Sequence, residues 1–505
     1  MKKSNPLLSC IFFTLQILGS SVLLWAVFKA PYLPNLYKFI IGGVVILLAF
    51  FSTYLSLKVA GKKLTYGLKH AFVMLLAVTV CSIGILMTLL QGRVVGMQLE
   101  QPEEGQLLID VLALNEKNFE DKNELLNGKI AVQTSFDQEN QDYAITFINS
   151  DLMGELNIIE FSDFESALDA LFAKEVDYVL MNETYISILS DEVKYEDLES
   201  QVKIVYQVKR IIAFDKVESD ANVTKKAFNI LVIGQNQKSK KVSDGTNTDV
   251  VLLVTINPVT KQVLMTSFPR DSYVPVPYSS MKDKLTHAGI YGASMTTKTI
   301  QNYIGIKVDF YIRVNYTSLI NLVDVLGGIS VDNPYTFKAV YPKYKYKFEK
   351  GPLELDGTKA LAYVRERKTA NGGDMGRNEH QRIVLDALVR KITSPSMMVN
   401  FSKILKTLEG CYLTNLSTDQ IFSLVKMQLD DLAHWNILQQ GLMGSTGGDY
   451  VASLYSYKKP KEENRKYSVV YVYPADLAEA KKNINKIING EILTKDDVKL
   501  PSQKK

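Results

Sequence analysis

Arginine carries a planar, permanently charged fork that matches phosphate oxygens in pairs, and in this chain of 505 residues several arginines fall where apolar segments end. Arg270 and Asp271 follow the run VLMTSFP, in FPRDSYV. Arg365 and Arg367 stand two apart in ALAYVRER, so they point to the same side if that piece is extended. Arg377 and Gln381, in GDMGRNEHQR, are four apart and share one helical face, while Arg382 and Arg390 lie on other faces and read as solvated. One arginine at a strand end is usually a surface ion pair. Arg270, Arg365, Arg367 and Arg377, joined by Gln381, point instead to an anion with several oxygens, such as a pyrophosphate. A divalent cation would bridge those oxygens. Asp249, which opens DVVLLVTI, is the candidate to hold it, because Mg²⁺ usually takes one or two carboxylates and keeps waters.

Other chemistries are poorly served. The four histidines include His70 near the membrane edge and the scattered His287, His380 and His434, without HExxH or His–Cys spacing, which disfavours a zinc site. No GxSxG elbow occurs, nor a GxxxxGK[ST] loop, of which GASMTTKT is a superficial echo. A net charge of +4 without a basic tract interleaved with aromatics argues against nucleic acid as a partner.

The elements that must position these residues begin with three uncharged runs, Ser4–Phe28, Phe39–Leu57 and Ala71–Gly92. At ~1.5 Å per helical residue even the shortest covers roughly 28 Å, close to a hydrocarbon core. Lys2, Lys3, Lys58, Lys62, Lys63 and Lys69 crowd the N-terminus and the second loop, whereas the first loop carries Lys29 and Lys38. Positive-inside counting places the N-terminus in the cytoplasm and everything after Arg93 on the exoplasmic face. Of three cysteines, Cys10 and Cys81 fall inside spans, leaving Cys411 alone outside. A large exoplasmic region without a disulfide framework suggests a Gram-positive cell surface.

The sequence thus predicts a three-helix transmembrane region at 1–97, a small accessory α/β domain at 98–220, an α/β sandwich at 221–482 and a frayed polar tail at 483–505. In the accessory region GKIAVQTS, NIIEF, VDYVLM and VKIVYQV read as strands and FESALDALFA as a helix, with no catalytic cluster; it is either a ligand-binding or docking lobe or a spacer. FNILVIG, DVVLLVTI and VLMTSFP read as buried strands, VDFYIRV and YSVVYVYP as further strands, and Tyr316–Leu326 and Glu379–Ile392 as helices.

NILVIG, TDVVLLVTINP, VLMTSFPRDSYV, DKLTHAG, DFYIRVNYTSLINLVDVLGGISVDNP, LDGTKALAYVRER and GDMGRNEHQR, in that order over roughly residues 228–395, closely resemble the catalytic domain of the LytR–CpsA–Psr family. The spans and accessory domain look like its capsule-associated branch. The resemblance implies a Mg²⁺-assisted phosphotransferase that moves glycan from an undecaprenyl-pyrophosphate carrier to a peptidoglycan sugar hydroxyl, with membrane lipid and capsule-assembly proteins as further partners. It implies that Arg270, Arg365, Arg367, Arg377 and Gln381 grip the pyrophosphate and that Asp249 binds the metal. Asp271 would orient Arg270, ligate metal or act as base. Where many members carry an aspartate two residues after the glycine of the first motif, this chain has Asn236, a neutral metal-ligand candidate. An apolar channel for the lipid tail is expected between the sheet and the helices around Leu319–Leu326 and Ile383–Leu388. Two rivals use the same residues: a polyprenyl-pyrophosphate pyrophosphatase, and a non-catalytic regulator of capsule assembly.

Overall fold

Three apolar helices open the chain, α1 (Pro6–Lys29), α2 (Asn35–Leu57) and α3 (Lys63–Val95). The computed structural model describes residues 6–30, 35–57, 63–95, 104–190, 193–195, 197–213, 216–235, 242, 245–341, 344–366, 374–392, 394, 404 and 410–503. Within α2, Asn35–Leu55 has a mean hydropathy of 2.0 and its apolar window is 22% buried, so by length and composition it suits a membrane. The apolar stretches Thr14–Lys29 and Ala71–Leu86 are shorter among the described residues. Among the described residues one stretch is therefore long and apolar enough to cross a membrane, where the sequence predicts three. The crossing of α1 and α3 is close: a Cβ at Gly84 would meet the Leu23 backbone at 2.9 Å, and one at Gly19 would meet Ala77 O at 3.2 Å.

The next unit alternates β1 (Glu104–Leu114), β2 (Lys129–Gln133), α4 (Gln138–Leu152), β3 (Asn157–Phe161), α5 (Phe164–Phe172), β4 (Tyr178–Asn182), α6 (Glu183–Ser190), α7 (Leu198–Gln201) and β5 (Val202–Ala213). Its five strands lie in the order β3–β2–β4–β1–β5. Side chains alternate across the sheet: Ile109, Ile130 and Leu180 meet Ala144 and Ile148 of α4 on one face, and Leu112, Val179 and Met181 meet Phe164 and Leu168 of α5 on the other.

The second sheet is built from β6 (Phe228–Gln235), β7 (Thr248–Asn257) and β8 (Gln262–Phe268), with β9 (Tyr273–Pro275), β10 (Lys282–Lys284), α8 (Gly292–Ile304), β11 (Phe310–Val314) and α9 (Tyr316–Val325) following. A mostly antiparallel excursion comes next: β12 (Ile329–Asn333), β13 (Phe337–Tyr341), β14 (Tyr344–Phe348) and β15 (Gly351–Leu355). Then come α10 (Gly357–Arg365), α11 (Asp374–Ile392), β16 (Tyr412–Thr414), α12 (Thr418–Asp431), β17 (Asn436–Gly441), β18 (Gly444–Asp449), β19 (Tyr467–Val472) and α13 (Pro474–Ile488). Six strands order as β16–β11–β6–β7–β8–β17. α8 and α13 cover one face through Ile300, Ile304, Ile484 and Ile487, while α11 and α12 reach the other through Leu385, Val389 and Leu424. GASMTTKT, the phosphate-loop echo, is simply the start of α8.

One local expectation is corrected. The tail does not fray: Leu493, Val498 and Leu500 are buried in the main core, and Leu493 N donates to Gln262 Oε1 at 2.9 Å. The apolar side chains spaced through that polar segment outweigh its composition. Within ALAYVRER the residues through Arg365 are helical, because Asp356 caps α10 by accepting from Lys359 N; Glu366 leaves the helix in extended backbone, and Arg367 lies outside the described residues. YSVVYVYP is a strand, β19, but it pairs with β18 outside the six-stranded sheet.

Candidate active site at one edge of the sheet

Strand registers bring the charged residues together. β7 runs antiparallel to β8 with Val251 opposite Phe268, so continuing that register two residues sets Asp249 across from Arg270. β11 runs parallel to β6, with Val314 beside Gly234, and Gly234 lies beside Val250 of β7, which puts Tyr316 at the same edge. Asn315 and Ser318 form a capping box that starts α9 at Tyr316. α10 then returns against α9: Gly357 N donates to Asp324 Oδ1 at 2.8 Å, and about 12 Å of antiparallel helix carries the chain from that contact to Arg365 beside Tyr316.

The result is a compact charged constellation. Arg270 Nη1 donates to Asp249 Oδ1 at 2.6 Å, and the Tyr316 hydroxyl donates to Asp249 Oδ2 at 2.9 Å. The Arg365 guanidinium lies over the Tyr316 ring at 4.3 Å. Arg270 Nε stands 3.7 Å from Asp271 Oδ2, so one guanidinium is flanked by two carboxylates. Arg377, in the first turn of α11, acts on Asp249 through its charge. Asp249 and Arg270 are only 8% and 4% exposed. Burial pushes the Asp249 carboxyl upward, but Arg270, Arg377 and the Tyr316 hydroxyl outweigh it and hold the group below the usual carboxylate range. Burial and the Asp249 charge raise the Tyr316 phenol well above its ordinary value, so it stays a donor. Gln381 sits half-buried one turn beyond Arg377 on α11. Asn236 and Arg367 lie outside the described residues.

No group of three or more His, Cys, Asp or Glu side chains suited to a metal converges among the described residues. Asp249 nevertheless fits one hard divalent cation by its chemistry, as an ionised oxygen donor of the kind Mg²⁺ takes beside substrate phosphates.

The LytR_cpsA_psr family model matches residues 193–469, more than half of the chain. The chain belongs to the LytR–CpsA–Psr family. Among curated relatives, the polyisoprenyl-teichoic acid–peptidoglycan teichoic acid transferase TagU of Bacillus licheniformis is 33% identical over 232 residues, covering 46% of this chain and 72% of the relative. The Bacillus subtilis protein of the same name is 31% identical over 245 residues, 48% of this chain and 76% of its own length. Among solved structures, that of Bacillus subtilis TagV aligns with a TM-score of 0.44 and 26% identity over 52% of this chain and 98% of that one. A structure from Streptococcus agalactiae aligns with a TM-score of 0.45 and 26% identity, over 55% and 93%.

In this LytR–CpsA–Psr chain the edge is stiffened by residues the motif reading passes over. Tyr316 has a signal in the sequence, since it opens a helix just after a strand. Arg313, fully buried on β11, donates through Nη2 to Thr246 O at 2.7 Å and to Gly289 O at 3.3 Å, anchoring the loop before Asp249. Arg382, read as solvated, instead donates through Nη1 to Ser267 Oγ at the end of β8 at 2.7 Å. α11 packs over the sheet there, so a residue off the Arg377 face still turns inward. Arg390 is exposed and pairs with Asp386 at 2.9 Å.

A second polar group mimics a hydrolase triad. His287 Nδ1 lies 2.6 Å from both Asp283 Oδ1 and Ser453 Oγ. Carboxylate and hydroxyl share one ring nitrogen, and all three side chains are buried. A nucleophile-activating His bridges its partners with two different nitrogens; this cluster is a structural tie between the β10 region and the 451–454 turn.

Leu319, Leu322, Val323, Ile383, Val384 and Leu388 do meet in one apolar body. They pack with Phe337, Phe348 and Leu355 of the excursion hairpins rather than against the six-stranded sheet.

Proposed function

We propose that this protein transfers a glycan polymer from an undecaprenyl-pyrophosphate carrier to a sugar hydroxyl of peptidoglycan, attaching capsule or another wall polymer at the outer face of a Gram-positive membrane. The observation that carries this reading is the convergence of Arg270, Arg365 and Arg377 around Asp249 and Tyr316 at one sheet edge. Fixed donors aimed at one place stabilise charge as it develops, the main lever in phosphoryl transfer. The acceptor oxygen bonds to the glycan-side phosphorus, and the bond from that phosphorus to the bridging oxygen breaks. Polyprenyl phosphate leaves with the electron pair, and the hydroxyl proton passes to Asp271. That carboxylate is 20% exposed, against 10% for the doubly engaged Asp249 side chain. Arg270, Arg365, Arg377 and Gln381 bind the pyrophosphate, with Arg367 two residues beyond Arg365.

Asp249, with Asn236, is assigned to Mg²⁺, which when bound would neutralise phosphate oxygens. The lipid tail is assigned to a path between the six-stranded sheet and the helices around Leu319–Leu326 and Ile383–Leu388, where shelter is worth about 0.8 kcal/mol per buried CH₂. Three membrane spans with a cytoplasmic N-terminus would hold the site near its lipid substrate. The outward apolar side chains of α1–α3, such as Leu18, Phe50 and Leu75, support that placement. The test is transfer of a lipid-pyrophosphate-linked glycan to peptidoglycan by the purified full-length protein, with Arg270→Met as control. Wall-linked product from the wild type and none from the variant supports the reading. Release of glycan phosphate to water alone overturns it in favour of pyrophosphatase chemistry, and wild-type product from Arg270→Met would remove Arg270 from it.

A further inference from the structure

The accessory unit does more than space the active site from the membrane. Its strand β4 ends at Asn182, whose Oδ1 accepts from Thr184 N at 3.0 Å and so fixes the first turn of α6. Thr184 is 3% exposed, and its Oγ1 donates to Gly245 O at 2.9 Å, across 61 residues of sequence and from one unit to the other. Gly245 holds φ +85, a left-handed conformation. It is followed by Thr246, Asn247, Thr248 and then Asp249.

That short segment is gripped from the far side as well. Arg313 Nη2 donates to Thr246 O at 2.7 Å, Gln235 Nε2 donates to Thr246 Oγ1, and Gly289 packs so closely that a Cβ there would collide with Thr248 Oγ1 and Thr246 O. Thr184 therefore closes a clamp whose other jaw belongs to the catalytic unit. The clamp is mounted rigidly. Tyr185 and Leu189, one and five residues beyond Thr184, share a single apolar core with Ile290, Val451, Leu454 and Val469 of the catalytic unit. The Arg465–Glu165 ion pair at 2.7 Å and the pairing of Lys459 with Asp163 lie at the same junction.

We propose that Thr184 of the accessory unit is a positioning residue for the reaction: it sets the Gly245–Thr248 segment and, through it, the Asp249 carboxylate between Arg270 and Tyr316. This rests on the transferase reading for its kinetic consequence, but not for its structural one. A hydrogen bond fixed at this point acts on the placement of Asp249 and not on the binding of glycan or lipid.

The experiment compares full-length wild type, Thr184→Val, which keeps shape and loses the hydroxyl, and Thr184→Ser, which keeps the hydroxyl. Hydrogen–deuterium exchange of the 245–249 segment is expected to quicken in Thr184→Val, to remain at the wild-type rate in Thr184→Ser, and to be unchanged in the accessory sheet. In polymer transfer, Thr184→Val is expected to lower kcat about tenfold with KM for the lipid-linked donor unchanged, and Thr184→Ser to restore it. Unchanged exchange in the segment, or loss confined to KM, overturns the proposal. Exchange that behaves as expected while the wild type transfers no polymer leaves the clamp standing and overturns the transferase reading instead.

Discussion

Tyr316 and Arg365 are stacked, the guanidinium 4.3 Å from the ring centre, while the Tyr316 hydroxyl donates to Asp249 at 2.9 Å. One phenol thus joins a cation on α10 to an anion on β7, two elements more than a hundred residues apart in sequence. The two contacts separate by substitution. Tyr316→Phe keeps the ring beneath Arg365 and removes one bond to a buried ionised group, worth about 1.5–3 kcal/mol. Transfer is expected to fall about tenfold or somewhat more, with thermal stability lowered by about that energy. Tyr316→Leu removes the ring as well and is expected to lose about a further tenfold. Equal activity for the Phe and Leu variants would show that Arg365 does not depend on the ring.

Asp249 and Arg270 form a buried pair, and such pairs reveal themselves in double-mutant cycles. Asp249→Asn leaves Arg270 charged in a site nearly closed to water, which costs about 3–5 kcal/mol. Arg270→Met removes the nearest cation from the carboxylate, which keeps the Tyr316 hydroxyl and the Arg377 charge, and is expected to cost less. The double variant removes both charges and is expected to recover most of that stability, with a coupling of about 2 kcal/mol or more in thermal unfolding of the full-length protein. All three variants are expected to lack transfer activity. Additive losses of stability would mean that the pair is not coupled in the folded protein.

Which parts of this were legible beforehand follows from the physics of each signal. Apolar runs marked β6, β7 and β8 because strands covered on both faces need little alternation, and charged residues at their ends marked the sheet edge. Arg365 stands out by its charge, but its helical backbone does not. An i, i+2 spacing suits a strand, and the Asp356 cap that makes the piece helical lies nine residues away. Tyr316 at a helix start and Arg313 inside a strand carry little mark of a site in the sequence, since such residues usually pack or solvate; only the register of β11 beside β6 places them there. The burial of the tail is hidden in the sequence for a similar reason. Leu493, Val498 and Leu500 are separated by polar residues, and no helical or strand period links them.

His380 makes the region around α11 sensitive to acid. It is fully buried, its ring stacks on Phe337 at 4.5 Å, and burial pushes its pKa down to about 4. The unfolded chain, with an ordinary value of 6.5, binds a proton more readily. Stability is therefore full above pH 6.5 and is lost as pH falls towards 4, by roughly 3 kcal/mol over that window. His380→Phe keeps the stacking and removes the titration. The variant is expected to lose less stability than the wild type between pH 6.5 and 4.5, measured by thermal unfolding. Parallel pH profiles would assign the acid sensitivity to other groups.

The C-terminal segment offers a prediction against its own composition. Leu493, Val498 and Leu500 are buried with Ile484 and Ile487 of α13, Asn436 Nδ2 donates to Leu493 O at 2.8 Å, and Ser502 N donates to Asp476 Oδ1 at 3.0 Å. Full burial of such side chains contributes about 1.5–3 kcal/mol each, so removing residues 490–505 forfeits an amount comparable with the roughly 5–15 kcal/mol that holds a typical domain. The truncated chain is expected to unfold at least about 10 °C lower and to be cleaved rapidly in α13. Leu500→Ala alone, which leaves a cavity in the same core, is expected to cost about 2–5 kcal/mol. A truncated protein with the wild-type melting temperature would mean that α13 and the sheet close their core without the segment. The active-site edge lies at the opposite ends of β7 and β8 from the turn where this segment docks. The Leu500→Ala variant should therefore keep its transfer activity at temperatures where it remains folded, which separates a loss of scaffold from a loss of chemistry.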